Sequence, residues 1–218
     1  MKNILPIIKK LKKQYPDAGI ELKFKNTFQL LVVVILSAQC TDARVNLVSP
    51  GLFKKFPDVR DFAECKLVDL EKAVFSTGFY RNKAKNIKAA AQKILSDFGG
   101  KVPGAMDELL KLPGVARKTA NVILNEGFGK SEGIVVDTHV IRISGLLGLV
   151  SKKLSASKNA VKIEAELMKI VPKKDWHIIS HLITWHGRRI CIARRPKCEI
   201  CPLNQICPSS TVLQSKRS

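Results

Sequence analysis

The sequence of 218 residues predicts an all-α protein. Apolar residues recur at spacings of three and four through most segments, as in Leu67, Leu70 and Val74, and this is the period of an amphipathic helix. Strand-like alternation of apolar and polar residues is nearly absent. Prolines and glycines, among them Pro50-Gly51 and Gly187, divide the chain into segments of ordinary helix length, so we expect about ten helices and a frayed polar tail after Cys207.

The most apolar segment runs from Phe28 to Leu36 and is predicted to be a buried core helix. Its centre, Val32–Val34, could also form a strand, but Asn26 or Thr27 precedes the segment as an N-cap. The segment is far shorter than the ~20 residues that cross a bilayer. At the N-terminus the lysines follow the apolar residues, which is the wrong order for a secretory signal. We therefore expect a cytoplasmic protein with no membrane partner, associated with the nucleoid if the source is prokaryotic.

The charge of the chain is strongly positive. Lysine and arginine number 38 against 18 acidic residues, which gives a net charge of +20 and an isoelectric point near 9.9. Such an excess attracts polyanions and releases their counterions on binding. Charge alone therefore indicates nucleic acid as the leading partner, with an anionic membrane surface as the competing interpretation.

Four cysteines near the C-terminus have the spacing of metal ligands. They are Cys191, Cys198, Cys201 and Cys207. Four soft sulfur ligands select zinc or an iron–sulfur cluster, and only one C-x2-C pair is present where structural zinc usually has two. The spacing alone favours a cluster over zinc only modestly. A disulfide pair is the third option, and a reducing compartment disfavours it.

The loop between the first two of these cysteines is cationic. It contains Arg194, Arg195 and Lys197, which a metal-bound loop would present outward. We expect these side chains to contact DNA, and the simpler interpretation is that they are solvated surface charges.

The segment Leu112–Leu124 predicts a helix–hairpin–helix. We expect one helix to end near Lys111 and the next to start around Val115, with a Pro-Gly turn between them. Exposed backbone N–H groups and the positive end of the second helix would form an anion site suited to a DNA phosphate. Gly114 would permit close approach of the backbone. The competing interpretation is an ordinary helix–helix turn.

Lys118 and Asp137 are the candidate catalytic residues. Lys118 is one of 28 lysines, so by itself it could equally be a phosphate contact or a solvated side chain. A catalytic role needs a neutral amine, which desolvation and nearby cations can supply by lowering its pKa. Asp137 lies among apolar residues and could serve that amine or cap the helix that follows, and both roles can hold together.

Together these motifs resemble the endonuclease III family of DNA glycosylases and AP lyases. The matching segments, in the family's order and spacing, are LSAQCTD at 36–42, STGFYRNKAKNI at 76–87, LPGVARKTANVIL at 112–124, VVDTHVIRI at 135–143, WHGRRICIARRPKC at 185–198 and the four cysteines. The resemblance implies a six-helix domain over 22–132 that contains the hairpin. It also implies a discontinuous domain over 1–21 and 133–218 that holds a [4Fe–4S] cluster, which makes zinc a remote second.

The resemblance further implies a mechanism. Lys118, in the family's K-T-A-N motif, would attack C1′ of a flipped-out nucleotide and displace an oxidised pyrimidine, and β-elimination would then nick the strand. Asp137, in the D-T-H motif, would activate the lysine or stabilise positive charge on the sugar. Gln39 would fill the gap left by the extruded base. Phe79 stands where the family presents an apolar wedge, although ordinary core packing would also suit a phenylalanine.

The implied phosphate contacts of the hairpin are Gly114, Val115 and Ala116. The family often has a second glycine where this chain has Ala116. Alanine keeps its N–H, so phosphate binding survives this departure if the φ angle of Ala116 is negative.

Three alternatives share parts of this pattern. Adenine-mismatch glycosylases usually lack a lysine at the position of Lys118 and carry a further C-terminal recognition domain, whereas this chain stops soon after Cys207. Thymine-mismatch relatives also replace that lysine. A non-catalytic DNA-binding module would need neither Lys118 nor Asp137. We therefore expect an enzyme that acts on double-stranded DNA with damaged bases or abasic sites. We also expect it to be a monomer.

Overall fold

The computed structural model describes residues 4–215, and every regular element in that range is helical. The α-helices are α1 (Leu5–Gln14), α2 (Thr27–Leu36), α3 (Asp42–Lys55), α4 (Val59–Glu64), α5 (Leu67–Val74), α6 (Tyr80–Phe98), α7 (Met106–Leu109), α8 (Arg117–Phe128), α9 (Thr138–Leu146), α10 (Lys152–Ser157), α11 (Ala160–Ile170), α12 (Trp176–Arg189) and α13 (Thr211–Gln214). Two short 3-10 helices span Phe75–Thr77 and Lys173–Asp175. The predicted all-α class is confirmed. None of the helices in residues 4–215 has the length and apolar character needed to cross a membrane.

The chain forms two compact units. One comprises residues 21–132 with α2 to α8, and the other joins the residues up to 20 to those from 133 onward, with α1 and α9 to α13. Their behaviour as separate folding domains, with the limits 22–132 and 1–21 plus 133–218, stays a prediction.

The apolar segment at the start of the first unit is the helix α2, as predicted. Asn26 caps it, because its side-chain oxygen accepts a hydrogen bond from the N–H of Gln29 at 2.9 Å. The residues from Phe28 to Leu36 are all buried. In this unit α2 packs against α6 and α8, and α6 also packs against α4 and α5. Phe62 of α4 lies at the centre of an aromatic cluster with Phe28, Phe53 and Phe56.

Several expected helix breaks are wrong, because proline and glycine lie inside helices at these positions. Helix α3 continues through Pro50, and its buried Val45 and Leu52 explain why. Burying two such side chains contributes about 3–6 kcal/mol, which offsets the roughly 3 kcal/mol cost of an internal proline. Gly187 lies inside α12, where a Cβ atom would come within 2.6 Å of His139 Nδ1, so here glycine permits close packing of α12 on α9.

Helix α12 organises the second unit, where it packs against α1 and α9. Trp185 donates its indole N–H to the carbonyl of Gly19 at 3.1 Å, and the Arg189 guanidinium lies 3.9 Å from the centre of the Trp185 ring. Just before α12, the buried Asp175 carboxylate accepts a hydrogen bond from the Lys12 ammonium at 2.6 Å. These contacts join the N-terminal helix to the C-terminal part of the chain.

The expected frayed tail is wrong for the residues that directly follow Cys207. The Ser209 hydroxyl donates to the carbonyl of Leu146 at 2.9 Å, Ser210 is buried, and α13 follows. The tail is ordered because it satisfies a carbonyl at the end of α9. Residues 216–218 lie outside the described part of the chain.

Candidate functional site

The predicted hairpin joins α7 to α8 through two tight turns. The N–H of Leu112 donates to Leu109 O, and the N–H of Val115 donates to Leu112 O, both at 3.1 Å. Gly114 has a φ angle of +78°, and a Cβ atom at this position would lie 2.9 Å from Cβ of Asn86. The turn therefore requires glycine both for its backbone angle and for its close packing on α6.

The three predicted phosphate-contact residues have different surroundings. Gly114 and Ala116 are exposed, whereas the Val115 side chain is buried and its N–H is used within the turn. Ala116 has a φ angle of −93°, so its backbone is the ordinary extended one that alanine adopts freely. Helix α8 begins at Arg117 and not around Val115, because Ala116 is extended and serves as its N-cap.

Lys118 lies on the first turn of α8, two residues after the hairpin, and its side chain is exposed. The helix N-terminus leaves backbone N–H groups without intrahelical partners, and these favour an anion close to the lysine. Burial within the protein does not remove water from the amine.

Gln39 and Phe79 line the same cavity in the first unit, a space of about 240 Å³ that Gly114 also lines. Both residues have positive φ angles, 52° for Gln39 and 48° for Phe79. Phe79 is 64% exposed, so the alternative that it packs in the core is wrong. A left-handed backbone is uncommon for bulky residues and is often found at functional sites.

Asp137 is the N-cap of α9, and its two carboxylate oxygens have separate partners. Oδ1 accepts a hydrogen bond from the N–H of Val140 at 2.8 Å, and Oδ2 accepts one from the Thr184 hydroxyl at 3.1 Å. The capping role expected as an alternative is therefore present, and it fixes the orientation of the carboxylate. Sequence reasoning missed Thr184, because nothing in the pattern of α12 distinguishes that threonine.

A cation of α9 links the region of Asp137 to the cysteine loop. Arg142 donates to Cys191 Sγ at 3.6 Å, and its other terminal nitrogen lies 3.5 Å from His139 Nδ1. Burial lowers the pKa of His139, and the charge of Asp137 partly opposes that shift. His139 is therefore kept neutral beside an arginine.

The four candidate metal ligands line one cavity of about 80 Å³ in the second unit. All four thiols are free, so the disulfide alternative is excluded. Backbone hydrogen bonds shape the loop around the cavity: Lys197 N–H donates to Ile190 O at 3.0 Å, and Cys207 N–H donates to Leu203 O at 2.8 Å. Arg194, Arg195 and Lys197 are exposed on this loop, as expected from the sequence.

The surroundings of the sulfurs fit an iron–sulfur cluster. Zinc–sulfur bonds of about 2.3 Å would draw four sulfurs to within about 4 Å of one another. In the described chain, no three of the four sulfurs lie within 4.8 Å of one another, so they suit a larger group. Cys201 Sγ accepts a hydrogen bond from the N–H of Leu203 at 3.4 Å and lies 3.6 Å from His186 Nε2. Hydrogen bonds and close polar contacts at the ligand sulfurs are typical of iron–sulfur sites, where they tune the cluster.

Burial favours the protonated form of the thiols that line this cavity. It raises the pKa of the Cys201 thiol to about 11, and it also raises the pKa values of Cys191 and Cys207. Because thiols bind metals in their deprotonated form, binding of a cluster here would release protons.

Two family models match the chain. The model for the HhH-GPD superfamily base excision DNA repair protein matches residues 32–173, and the model for the iron–sulfur binding domain of endonuclease III matches residues 191–207. The first match includes the hairpin, Lys118 and Asp137. The second begins and ends at the first and last of the four cysteines. The expected iron–sulfur cofactor is confirmed, and the four cysteines as its ligands stay a prediction.

Named relatives match over almost the whole chain. Endonuclease III of Synechocystis sp. is 50% identical over 200 residues, which cover 92% of this chain and 89% of that protein. A solved non-covalent endonuclease III–DNA complex has a TM-score of 0.88 and 42% identity, covering 97% of this chain and 96% of that one. A trapped covalent endonuclease III–DNA intermediate with an estranged adenine has a TM-score of 0.87 and 41% identity, covering 97% of this chain and 95% of that one.

Proposed function

Because this chain belongs to the endonuclease III family of the HhH-GPD superfamily, we propose that it removes oxidised pyrimidines from DNA by attack of Lys118 at C1′. The chain is a base-excision DNA glycosylase with AP-lyase activity. One observation carries the assignment of the nucleophile: Lys118 is exposed on the first turn of α8, directly after the exposed hairpin backbone. A phosphate held at the hairpin would bring its nucleotide within reach of that amine.

The reaction begins when the damaged nucleotide leaves the stack, since C1′ is inaccessible within it. The Lys118 amine attacks C1′, the glycosidic bond breaks, and the base leaves with the bonding electrons and gains a proton. Opening of the sugar ring gives a Schiff base between Lys118 and C1′. Loss of a C2′ proton then breaks the C3′–O bond and nicks the strand 3′ to the lesion.

In this scheme Asp137 acts as a proton acceptor or stabilises positive charge. Its carboxylate accepts the proton that the Lys118 amine must lose, or it stabilises positive charge that develops on the sugar. The hydrogen bonds from Val140 and Thr184 hold both oxygens, so the carboxylate does not have to reorganise during the reaction. This fixed orientation supports a catalytic role beyond helix capping.

The DNA contacts away from the reacting sugar fall into two groups. Gln39 and Phe79 are proposed to enter the duplex beside the extruded nucleotide, because both are exposed at the rim of one cavity. Gly114, Val115 and Ala116 form the phosphate-binding hairpin, with Val115 as its buried anchor. Arg194, Arg195 and Lys197 are proposed to contact backbone phosphates.

Cys191, Cys198, Cys201 and Cys207 would hold the cluster. When bound, it cross-links a loop that has little regular structure of its own and can exchange electrons. The loop residues themselves supply the positive charge that faces solvent.

The substrate is proposed to be double-stranded DNA that contains damaged bases or abasic sites, and the enzyme is proposed to act as a monomer. We place its activity in the cytoplasm, and on the nucleoid if the source is prokaryotic, because endonuclease III of Synechocystis sp. is 50% identical to this chain.

A panel of duplexes tests the substrate assignment. Each duplex carries one thymine glycol, dihydrouracil, uracil or 8-oxoguanine, and base release and strand nicking are measured separately. We expect release and nicking on thymine glycol and dihydrouracil. Base release without a nick, or release from uracil alone, would contradict the proposal and favour a mismatch-type glycosylase.

A further inference from the structure

A buried lysine lies behind the cavity that Gln39 and Phe79 line. Lys83 is only 4% exposed, and its ammonium group donates to two backbone carbonyls, Leu36 O and Thr77 O, each at 2.8 Å. Lys83 also lines the cavity itself. The catalytic scheme gives this residue no role.

The location of Lys83 is unfavourable for its own helix. It lies in the first turns of α6, where the positive end of the helix dipole repels a cation. Burial lowers the pKa of its ammonium group, because removal from water disfavours the charged form. The two carbonyl contacts help to offset these costs, and they join two segments of the chain through one ammonium group.

Those segments are the two that carry the exposed cavity residues. Leu36 is the last residue of α2, and the turn that follows it leads to Gln39. Thr77 ends the 3-10 helix that precedes Gly78 and Phe79. One ammonium group therefore connects the end of α2 to the start of the Phe79 turn.

Both connected turns are strained in the same way. In the described part of the chain, the non-glycine residues with positive φ are Gln39, Phe79 and Lys158. Two of these three lie within three residues of a carbonyl that Lys83 holds. A left-handed backbone at bulky residues persists only where the surrounding structure over-determines it, and the Lys83 contacts supply such a constraint.

We propose that Lys83 is a positioning residue that fixes the turns of Gln39 and Phe79 relative to each other, and so sets how both side chains enter a damaged duplex. The inference rests on the proposed role of Gln39 and Phe79 in the DNA. Lysine suits the task because its compact ammonium group has three N–H donors and can donate to both carbonyls at once.

The test compares Lys83→Met with a matched control, Lys88→Met. Lys88 is also on α6 and also donates to a backbone carbonyl, that of Cys65, but it does not line this cavity. Affinity is measured for a duplex with a tetrahydrofuran abasic analogue and for the same duplex undamaged. We expect Lys83→Met to lose about tenfold in the ratio of these affinities, with undamaged-DNA binding unchanged, and Lys88→Met to keep the wild-type ratio.

A second readout reports insertion directly. A 2-aminopurine opposite the abasic analogue changes its fluorescence when protein side chains enter the gap beside it. We expect this change to be smaller for Lys83→Met than for wild type and Lys88→Met. Equal fluorescence changes in all three proteins would overturn the proposal.

A double-mutant comparison separates positioning from general destabilisation. In a Gln39→Ala Phe79→Ala background, Lys83→Met should reduce the affinity ratio by less than about twofold, because the residues that it positions are absent. An undiminished tenfold loss in that background would contradict the proposal. If Lys83→Met does not fold, Lys83→Arg replaces it and should lose at least about threefold, because a flat guanidinium cannot reproduce both contacts.

Failure of this inference differs from failure of the proposed function. If the function is wrong, wild-type protein itself will not prefer the abasic duplex. If only the inference is wrong, wild type will show the preference and Lys83→Met will keep it.

Discussion

Among single residues, the fixed carboxylate of Asp137 is the feature that most constrains the proposed chemistry. Its Oδ1 accepts the hydrogen bond that caps α9, and its Oδ2 accepts a hydrogen bond from the Thr184 hydroxyl. The Thr184 contact is therefore separate from the cap. A donor on Oδ2 locks its direction, which matters because the carboxylate must meet a proton at one place.

We expect Thr184→Val to slow base release about fivefold, because it removes a hydrogen bond worth about 1 kcal/mol while keeping the shape of the side chain. Thr184→Ser retains the hydroxyl and should stay near the wild-type rate. Single-turnover kinetics on a thymine glycol duplex measure both. A wild-type rate for Thr184→Val would mean that the cap alone orients Asp137.

The neighbouring His139 predicts a pH dependence of stability. Burial lowers its pKa in the folded chain, so below the ordinary value of 6.5 the unfolded chain binds a proton before the folded chain does. The stability that neutral His139 contributes is fully present above pH 6.5. It is lost as the pH falls through the lowered pKa that His139 has in the folded chain. We expect the melting temperature to fall less between pH 7 and pH 5 in His139→Gln than in wild type. Parallel pH profiles would contradict this assignment.

At the scale of elements, the hairpin between α7 and α8 depends on one glycine. We expect Gly114→Ala to lower the melting temperature by about 2–8 °C, because its φ of +78° costs an alanine about 1–2 kcal/mol and its Cβ would meet Asn86. Affinity for undamaged DNA should fall as well, since the turn shapes the proposed phosphate site.

Ala116→Gly is the matched control for this substitution. Its φ of −93° suits either residue, so the expected change in stability is below about 1 kcal/mol. Equal effects at both positions would show that the turn tolerates side chains at Gly114 and that our account of the hairpin is incorrect.

The elements also show which parts of the fold a sequence can predict. Helix α2 was predictable because its signals are local: an asparagine cap and a continuous apolar run that is buried. The continuation of α3 through Pro50 was not, because burial of its neighbours outweighs the local signal of proline. Gly187 was misinterpreted as a break for a similar reason, since its role is to admit His139 from another helix.

The candidate site divides in the same way. Lys118, Asp137 and the cysteines lie in recognisable motifs, so the sequence predicted them as candidates. Thr184 and Lys83 act through partners 47 residues away along the chain, at Asp137 and Leu36. No local pattern encodes such pairings, because they are created by helix packing.

At the scale of the whole molecule, a net charge of +20 predicts strongly salt-dependent DNA binding. We expect the joint substitution of Arg194 and Arg195 by alanine to make the slope of log affinity against log salt shallower by about 2, because each lost phosphate contact changes it by about 0.9. Fluorescence anisotropy across a salt series measures the slope.

Lys9→Ala with Lys10→Ala removes the same charge from the exposed face of α1 and serves as the control. Its slope should change less than that of the arginine pair. If the two pairs behave alike, the cationic loop contributes only general charge and makes no specific phosphate contact.

Borohydride trapping on an abasic-site duplex shows whether Lys118 is the nucleophile of a glycosylase that also cleaves the strand. Reduction of the Schiff base joins enzyme and DNA covalently, and the adduct migrates as a single slow band on a denaturing gel. Wild-type protein should form the adduct, and Lys118→Gln should form none while still binding the duplex. An undiminished adduct in Lys118→Gln, or none in wild type, would contradict the account.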